Sequence, residues 1–412
     1  MQKTICLIGA FDTKGQEYAF LREQIVSRGY KVFTVNTGVL GSTDLFPVDV
    51  EADRVVEFGG GHLEQLRKKK DRGEAMKIMC AGATATAKAL YAEGKFDGII
   101  GMGGSGGTTV VTSAMRVLPL GVPKLCLSTL ASGDVSVYIG TKDITMMPSI
   151  VDIAGINRIS SVIFSRAAGA ICGMVEKDIT KIAADKPVIT ASMFGNSTEC
   201  VNACAKELAA KGYEVLVFHT TGIGGKTMES LVSEGLVDAV LDITTTEWAD
   251  TVCGGVFDAG TERLDAPGRM GIPHLIVPGG VDMAKFRAPD TVPAKYKEAG
   301  RIFYEWNPSV TLMRTNKEEN RKMGQVFAEK ANAAKGPVAF LIPLKGVSIL
   351  DGDGQPFCDR ETDKEMFDAI KSNVKEGIAI VEMDNNINDP EFATKAVQMM
   401  LELIKEVRSE RK

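Results

Sequence analysis

The chain has 412 residues, 44% of them hydrophobic and 25% charged, which suits two or three compact domains and excludes a disordered or fibrous protein. With 48 Lys and Arg against 53 Asp and Glu, its net charge of −5 argues against nucleic acid as a partner, since neutralising phosphates needs a basic surface. No apolar run approaches the ~20 residues that span a bilayer, and the eight cysteines include no Cys-x-x-Cys, so buried free thiols in a reducing cytoplasm are expected.

Short β-branched runs alternate with amphipathic stretches, the pattern of a parallel α/β design. Strands are predicted at Thr4–Gly9, Lys31–Asn36, Ile78–Cys80, Gly98–Met102 and Pro123–Leu127. A second series runs through Val188–Ser192, Glu214–His219, Ala239–Ile243, His274–Val277, Val338–Ile342 and Ile378–Met383. The first apolar stretch breaks at Asp12 with no cleavage site after it, so no signal peptide is expected. The polar segment Glu176–Pro187 reads as a linker between domains at 1–180 and 185–412. A last helix, Pro390–Val407, starts at an Asp-Pro cap and is expected to cross back onto the first domain.

The two series are diverged copies. Phe11 matches Phe194, Gly29-Tyr30 matches Gly212-Tyr213 and Thr37 matches Thr220, always 183 residues apart. Phe96-Asp-Gly-Ile-Ile100 then answers Val237-Asp-Ala-Val-Leu241, and Gly121-Val-Pro answers Gly271-Ile-Pro. Two Rossmann-like, doubly wound parallel sheets are predicted, facing each other across a cleft. Thr13 with Gln16, and Asn196 with Glu199, read as reciprocal helix caps. Gly29 and Gly212 fall where a helix must end in a left-handed residue.

Residues unique to one copy are the better functional candidates. Gly103, Gly104, Ser105, Gly106, Gly107 and Thr108 follow a strand and open a helix; four of the first five lack a Cβ, so their amides can approach an anion closely. The second copy has Asp242-Ile-Thr-Thr-Thr-Glu247 there. In the turn after the first strand, Asp12 and Lys14 become Gly195 and Ser197, so the fold does not require their charges. Lys14 is a candidate for a phosphate, and Asp12 for a ribose hydroxyl or a hydrated Mg²⁺.

Thr220 to Thr227 ends in Gly-Lys-Thr like a P-loop, but the leading glycine would fall on Thr220 and the loop follows the domain's second strand. It remains a candidate anion pocket built from Gly222, Gly224, Gly225, Lys226 and Thr227, with Arg269 further on. His219, Glu247 and Asp242 sit at strand ends and are the acid/base candidates; Asp250, Asp258, Asp265 and Asp282 are further carboxylates near that edge. Asp351-Gly-Asp-Gly begins like a calcium loop but has Pro356 at the required glycine, and reads as a turn before a helix capped by Thr362 and Glu365. The Lys68–Lys70 run reads as a solvated face.

Gly9-Ala-Phe-Asp-Thr-Lys-Gly, Gly101-Met-Gly-Gly-Ser-Gly-Gly-Thr, Val151-Asp-Ile-Ala-Gly-Ile-Asn157, Thr220-Thr-Gly-Ile-Gly-Gly-Lys-Thr-Met-Glu and Gly271-Ile-Pro-His-Leu-Ile-Val-Pro-Gly-Gly occur in that order. Together they resemble the Tm-1-like ATP-binding family, also called UPF0261, over essentially the whole chain. The resemblance implies two Rossmann-like subdomains that bind ATP with Mg²⁺. Combined with the residue differences, it assigns the nucleotide to Gly9, Asp12, Thr13, Lys14 and Gly103 to Thr108, and leaves the second domain for a second ligand. The function expected is a cytoplasmic ATP-binding protein, an enzyme acting on a small acidic metabolite in the interdomain cleft. A non-catalytic nucleotide-dependent module and a nucleotide-sugar enzyme are the alternatives. A small-molecule ligand and further copies of the chain are the expected partners, with no membrane.

Overall fold

The computed structural model describes residues 2–176 and 186–410, with side chains to 407. It divides into two compact units, Met1–Lys181 and Ile182–Lys412. The predicted linker lies mostly outside the described residues.

The first unit runs β1 (Thr4–Gly9), α1 (Phe11–Val26), β2 (Lys31–Asn36), α2 (Ala52–Phe58), α3 (Leu63–Lys69), α4 (Arg72–Ala92), β3 (Gly98–Gly103), α5 (Ser105–Arg116), β4 (Lys124–Ser128), α6 (Ser136–Ile139), β5 (Thr145–Pro148) and α7 (Ser160–Glu176). Its five parallel strands lie in the order β2-β1-β3-β4-β5. One apolar cluster packs α2, α4 and α5 on one face of the sheet, and another packs α1 and α7 on the other. Burial on both faces explains why these strands read as continuous apolar runs.

The second unit runs β6 (Val188–Met193), α8 (Thr198–Ala210), β7 (Glu214–His219), α9 (Ile223–Ser233), β8 (Ala239–Thr244), α10 (Glu247–Cys253), α11 (Ala266–Met270) and β9 (His274–Gly279). An antiparallel ribbon follows, with β10 (Met283–Phe286), α12 (Ala294–Glu298), β11 (Phe303–Asn307) and β12 (Val310–Arg314). The chain then returns through α13 (Lys317–Asn332), β13 (Val338–Pro343), α14 (Arg360–Asn373), β14 (Ala379–Met383) and α15 (Pro390–Glu410). The main sheet is parallel throughout, in the order β14-β13-β9-β8-β6-β7. α15 packs its apolar face, including Phe392, Val397 and Met400, on this unit's own sheet and α8.

The duplication is visible in the order of the first four strands, β2-β1-β3-β4 against β7-β6-β8-β9. Gly29 and Gly212 both have left-handed φ, 87° and 91°, as the helix stops require. A further shared device joins the strand starts: the Asp97 carboxylate accepts from Thr4 N at 2.8 Å, and that of Asp238 from Val188 N at 2.7 Å.

Three expectations are corrected. Ile78–Cys80 lies inside α4, because the capped Asp71-x-x-Glu74 start and the Ala- and Thr-rich stretch that follows favour a helix. Thr13 and Asn196 do not cap. Instead α1 begins at Phe11, whose amide donates to Asn36 Oδ1 at 3.2 Å, and Gly195–Ser197 forms a single 3₁₀ turn before α8. α14 is capped by Asp359, which accepts from Thr362 N at 3.1 Å, one turn before the expected pair.

Candidate functional site

A cavity of about 450 Å³ opens in the first unit beside Ala10, Thr37 and Gly106, just beyond the carboxyl ends of β1, β2 and β3. There the connections leave β1 in opposite directions, the topological switch point at which open α/β sheets take ligands. Val39, Leu40, Leu66, Met76, Met79 and Val110 make most of its wall apolar, and Arg67, Lys70 and Arg72 add cations.

Two helices set this geometry. α5 has Gly104 at its N-cap, with no side-chain cap, so its first amides at Ser105, Gly106 and Gly107 lack intrahelical acceptors and carry the positive end of the helix dipole. α4 begins at Asp71, which accepts from Glu74 N at 3.0 Å, and its small buried residues Gly82, Ala83 and Ala87 permit close packing. Thr84 Oγ1 donates to the Ser113 carbonyl at 3.2 Å, tying α4 to α5 and holding Arg72 over the α5 start. Arg67 is tied down, donating to the Val39 carbonyl at 2.7 Å and to Glu64 at 2.8 Å. Arg72 is exposed and has no acidic partner among the described residues.

Of the predicted nucleotide residues, Gly106 and Gly107 line this cavity. Gly103 serves packing, because a Cβ there would meet Gly107 Cα at 2.6 Å. Gly9 makes room for Tyr18, whose buried hydroxyl accepts from Met102 N at 2.8 Å between β1 and β3. Thr108 is buried against Ser128 at 2.6 Å, while Thr13 and Ser105 are exposed. Lys14 donates to the Ile153 carbonyl, and Asp12 accepts from Leu40 N at 2.8 Å, so these charges brace neighbouring loops. Gly104 stands at the α5 start with only Thr129 near its missing Cβ.

In the second unit the acid/base candidates are largely committed to each other. Arg263, 1% exposed, lies against Asp242 through both terminal nitrogens, against Glu247 through Nε at 2.8 Å and against Glu229 at 3.3 Å. Burial alone would raise the Asp242 pKa, but Arg263 and His274, 2.9 Å away, hold it well below the usual carboxylate range. Neither Asp242 nor Glu247, both fully buried, is free for acid/base work. The loop expected to hold an anion holds the Glu247 carboxylate, which accepts from Gly222 N at 2.8 Å and Gly225 N at 3.1 Å. Gly225 is a glycine because a Cβ would overlap that carboxylate, and Gly224 because one would overlap the His219 carbonyl.

Lys226 is exposed, Thr227 bonds within its helix to the Ile223 carbonyl, and Arg269 pairs loosely with Asp265 at 3.6 Å. Asp250 pairs at 2.7 Å with the fully buried Lys285. His219 stays exposed, its ring 5.3 Å from that of Phe194.

The segment from Asp351 is a turn before α14, as expected, and it also carries a buried charge cluster. Asp363 meets Arg314 at 2.6 Å and Arg360 at 3.0 Å, and Asp351 meets the same two guanidiniums at 3.4 and 3.1 Å. Asp282 accepts from Ser348 at 2.8 Å. Burial, then the facing carboxylates Asp363 and Asp282, push Asp351 up to about 8; burial pushes Asp282 up to about 6 against Arg314. Among the described residues no group of three His, Cys, Asp or Glu is placed to hold a metal ion, and no helix is long and apolar enough to cross a membrane.

Sequence reasoning missed Arg72 and Arg263. The Asp71-x-x-Glu74 capping pattern could have placed Arg72 on a helix start; nothing local marks Arg263.

Family models match nearly all of the chain: Uncharacterised protein family (UPF0261) N-terminal domain over residues 3–180 and the C-terminal domain over 186–404. A UPF0261 protein of Clostridium tetani is 47% identical, covering 98% of this chain and 100% of its own length. The tomato (Solanum lycopersicum) ToMV resistance protein Tm-1(GCR237) is 38% identical over 96% of this chain, which spans 55% of that protein. Among solved structures, Acinetobacter baumannii MurG aligns over 98% of this chain and all of its own at 11% identity, with a TM-score of 0.22. With both domain models matched in order and such identity along its length, this chain belongs to the Tm-1-like UPF0261 family.

Proposed function

We propose that this chain is a nucleotide-binding protein, with ATP, accompanied by Mg²⁺, the nucleotide that the family resemblance implies, and that the first-unit cavity is the seat. The observation that carries this reading is an apolar slot of about 450 Å³ leading to the uncapped start of α5 and the unpaired Arg72. An apolar slot suits a base, and main-chain amides with a guanidinium suit phosphates. The volume is in the range of small-molecule sites, roughly 300–1,000 Å³.

Calorimetric titration with Mg-ATP tests it. Arg72→Ala should weaken binding by about tenfold, or ~1.4 kcal/mol, while leaving the melting temperature unchanged because Arg72 is exposed. Equal affinity in the variant would remove Arg72 from the site, and no binding by the unaltered protein would end the reading.

We favour the non-catalytic nucleotide-dependent module, one of the two alternatives, over the expected enzyme acting on an acidic metabolite. Asp242 and Glu247 are both buried and hydrogen-bonded to Arg263, which leaves neither oriented for general acid–base work there. Mg-ATP incubated with the protein and a panel of small acids should therefore persist, as followed by release of ADP, AMP or phosphate.

A further inference from the structure

The two units place matching strand ends around one spot but connect and fill it differently: β7 runs straight into α9, whereas β2 is followed by a loop that reaches α2 only at Ala52. β3 and β8 begin at Gly98 and Ala239, and counting on from them sets Gly106 opposite Glu247, each in the first turn of the helix that follows. The first residues after β2 and β7 also correspond, so that Val39 stands where Gly222 stands. In the second unit the spot holds the Glu247 carboxylate, bound by two amides at the start of α9 and facing Arg263. In the first unit there is no side chain at that place, and Gly106, Val39 and Arg72 line an open cavity. A Cβ on Gly106 would lie 3.6 Å from Met76 Sδ and 3.7 Å from Arg72 Nη2, so a side chain there would have a guanidinium within reach beside the Met76 thioether, as Glu247 has Arg263.

We propose that Glu247 is a built-in anion occupying the second unit's copy of the ligand seat, and that the open seat beside Gly106 and Arg72 receives the ligand's anionic group, phosphoryl or carboxylate. The proposal rests on the nucleotide reading only for the ligand's identity. Carboxylates and phosphoryl groups call for the same donors, amides at a helix start and a guanidinium. The burial difference fits: Arg263 is sealed from water and needs permanent anionic partners, whereas the exposed Arg72 is hydrated when its seat is empty. One ligand per chain follows.

Two variants test the equivalence. Gly106→Glu supplies the first unit with its own carboxylate, at a helix start where acid is favourable. It should cut the affinity for Mg-ATP and for inorganic phosphate by about tenfold or more, without lowering the melting temperature. Undiminished binding would overturn the proposal. Glu247→Ala should melt earlier and recover with sodium formate but not with sodium chloride at equal ionic strength. If it folds poorly, refolding yield in the two salts gives the same comparison. Equal effects of formate and chloride would overturn the shared seat. If the unaltered protein binds neither ATP nor phosphate, the nucleotide reading falls, and formate rescue still decides the seat in the second unit.

Discussion

Arg263→Ala will cost the second unit about 3–5 kcal/mol, the range seen when one partner of a buried charge network is removed. The guanidinium answers Asp242, Glu247 and Glu229 at once, and the first two are fully buried. Without it the carboxylates must stay charged in an apolar interior or take up protons, and either choice opposes folding. The loss will be smaller at pH 5 than at pH 8, because proton uptake relieves the unpaired charge. In the unaltered protein the sign is opposite. Asp242 is held low, so its contribution is full above its unfolded value near ~4 and fades only as the pH falls further. Urea unfolding at pH 5 and 8 measures the first, a further point near pH ~3 measures the second, and an unchanged midpoint at pH 8 would mean that the ion pairs contribute nothing.

The second large effect is a loss of stability with alkalinity. Asp351 is pushed up to about 8 by burial and by the carboxylates of Asp363 and Asp282. A carboxyl raised in the folded state stabilises fully below its unfolded pKa, and that contribution is lost as the pH rises through the folded value. Between pH 6 and 8 the folded chain holds a proton that the unfolded chain has released, worth at most about 1.4 kcal/mol per pH unit, or ~2–3 kcal/mol in all. Asp282, raised to about 6, adds to the slope at its lower end. Asp351→Asn, which cannot ionise, should flatten the profile. A flat profile in the unaltered protein would show that the cluster ionises as freely as in an unfolded chain.

The fold was legible where each element announces itself locally. β2 and β7 fall on their predicted residues, and the repeat of Gly29-Tyr30 as Gly212-Tyr213 fixed the correspondence of the halves. The ribbon β10-β12-β11 was missed: β11 and β12 meet at a tight turn between Asn307 and Val310 whose signal was not read, whereas β10 pairs with β12 across a long connection. The site was half legible. Missing Cβ atoms at Gly106 and Gly107 pointed to open space, but the glycines of the second loop carry the same signature around an internal carboxylate. Sequence shows that room has been made; it does not show for what. Arg263 is invisible for the same reason, since its partners lie 16 to 34 positions away and converge only in the folded core.

The antiparallel ribbon has a consequence for how the molecule is made. β9 ends at Gly279 and its neighbour β13 does not begin until Val338, so the second sheet closes across an intervening excursion. The first sheet has a comparable excursion, between Asn36 at the end of β2 and Gly98 at the start of β3, but its last strand is complete at Pro148. Long-range pairing slows acquisition of structure, and synthesis delivers the amino-terminal strands first. The leading half can therefore mature while the trailing half still waits for its last strands to emerge from the ribosome.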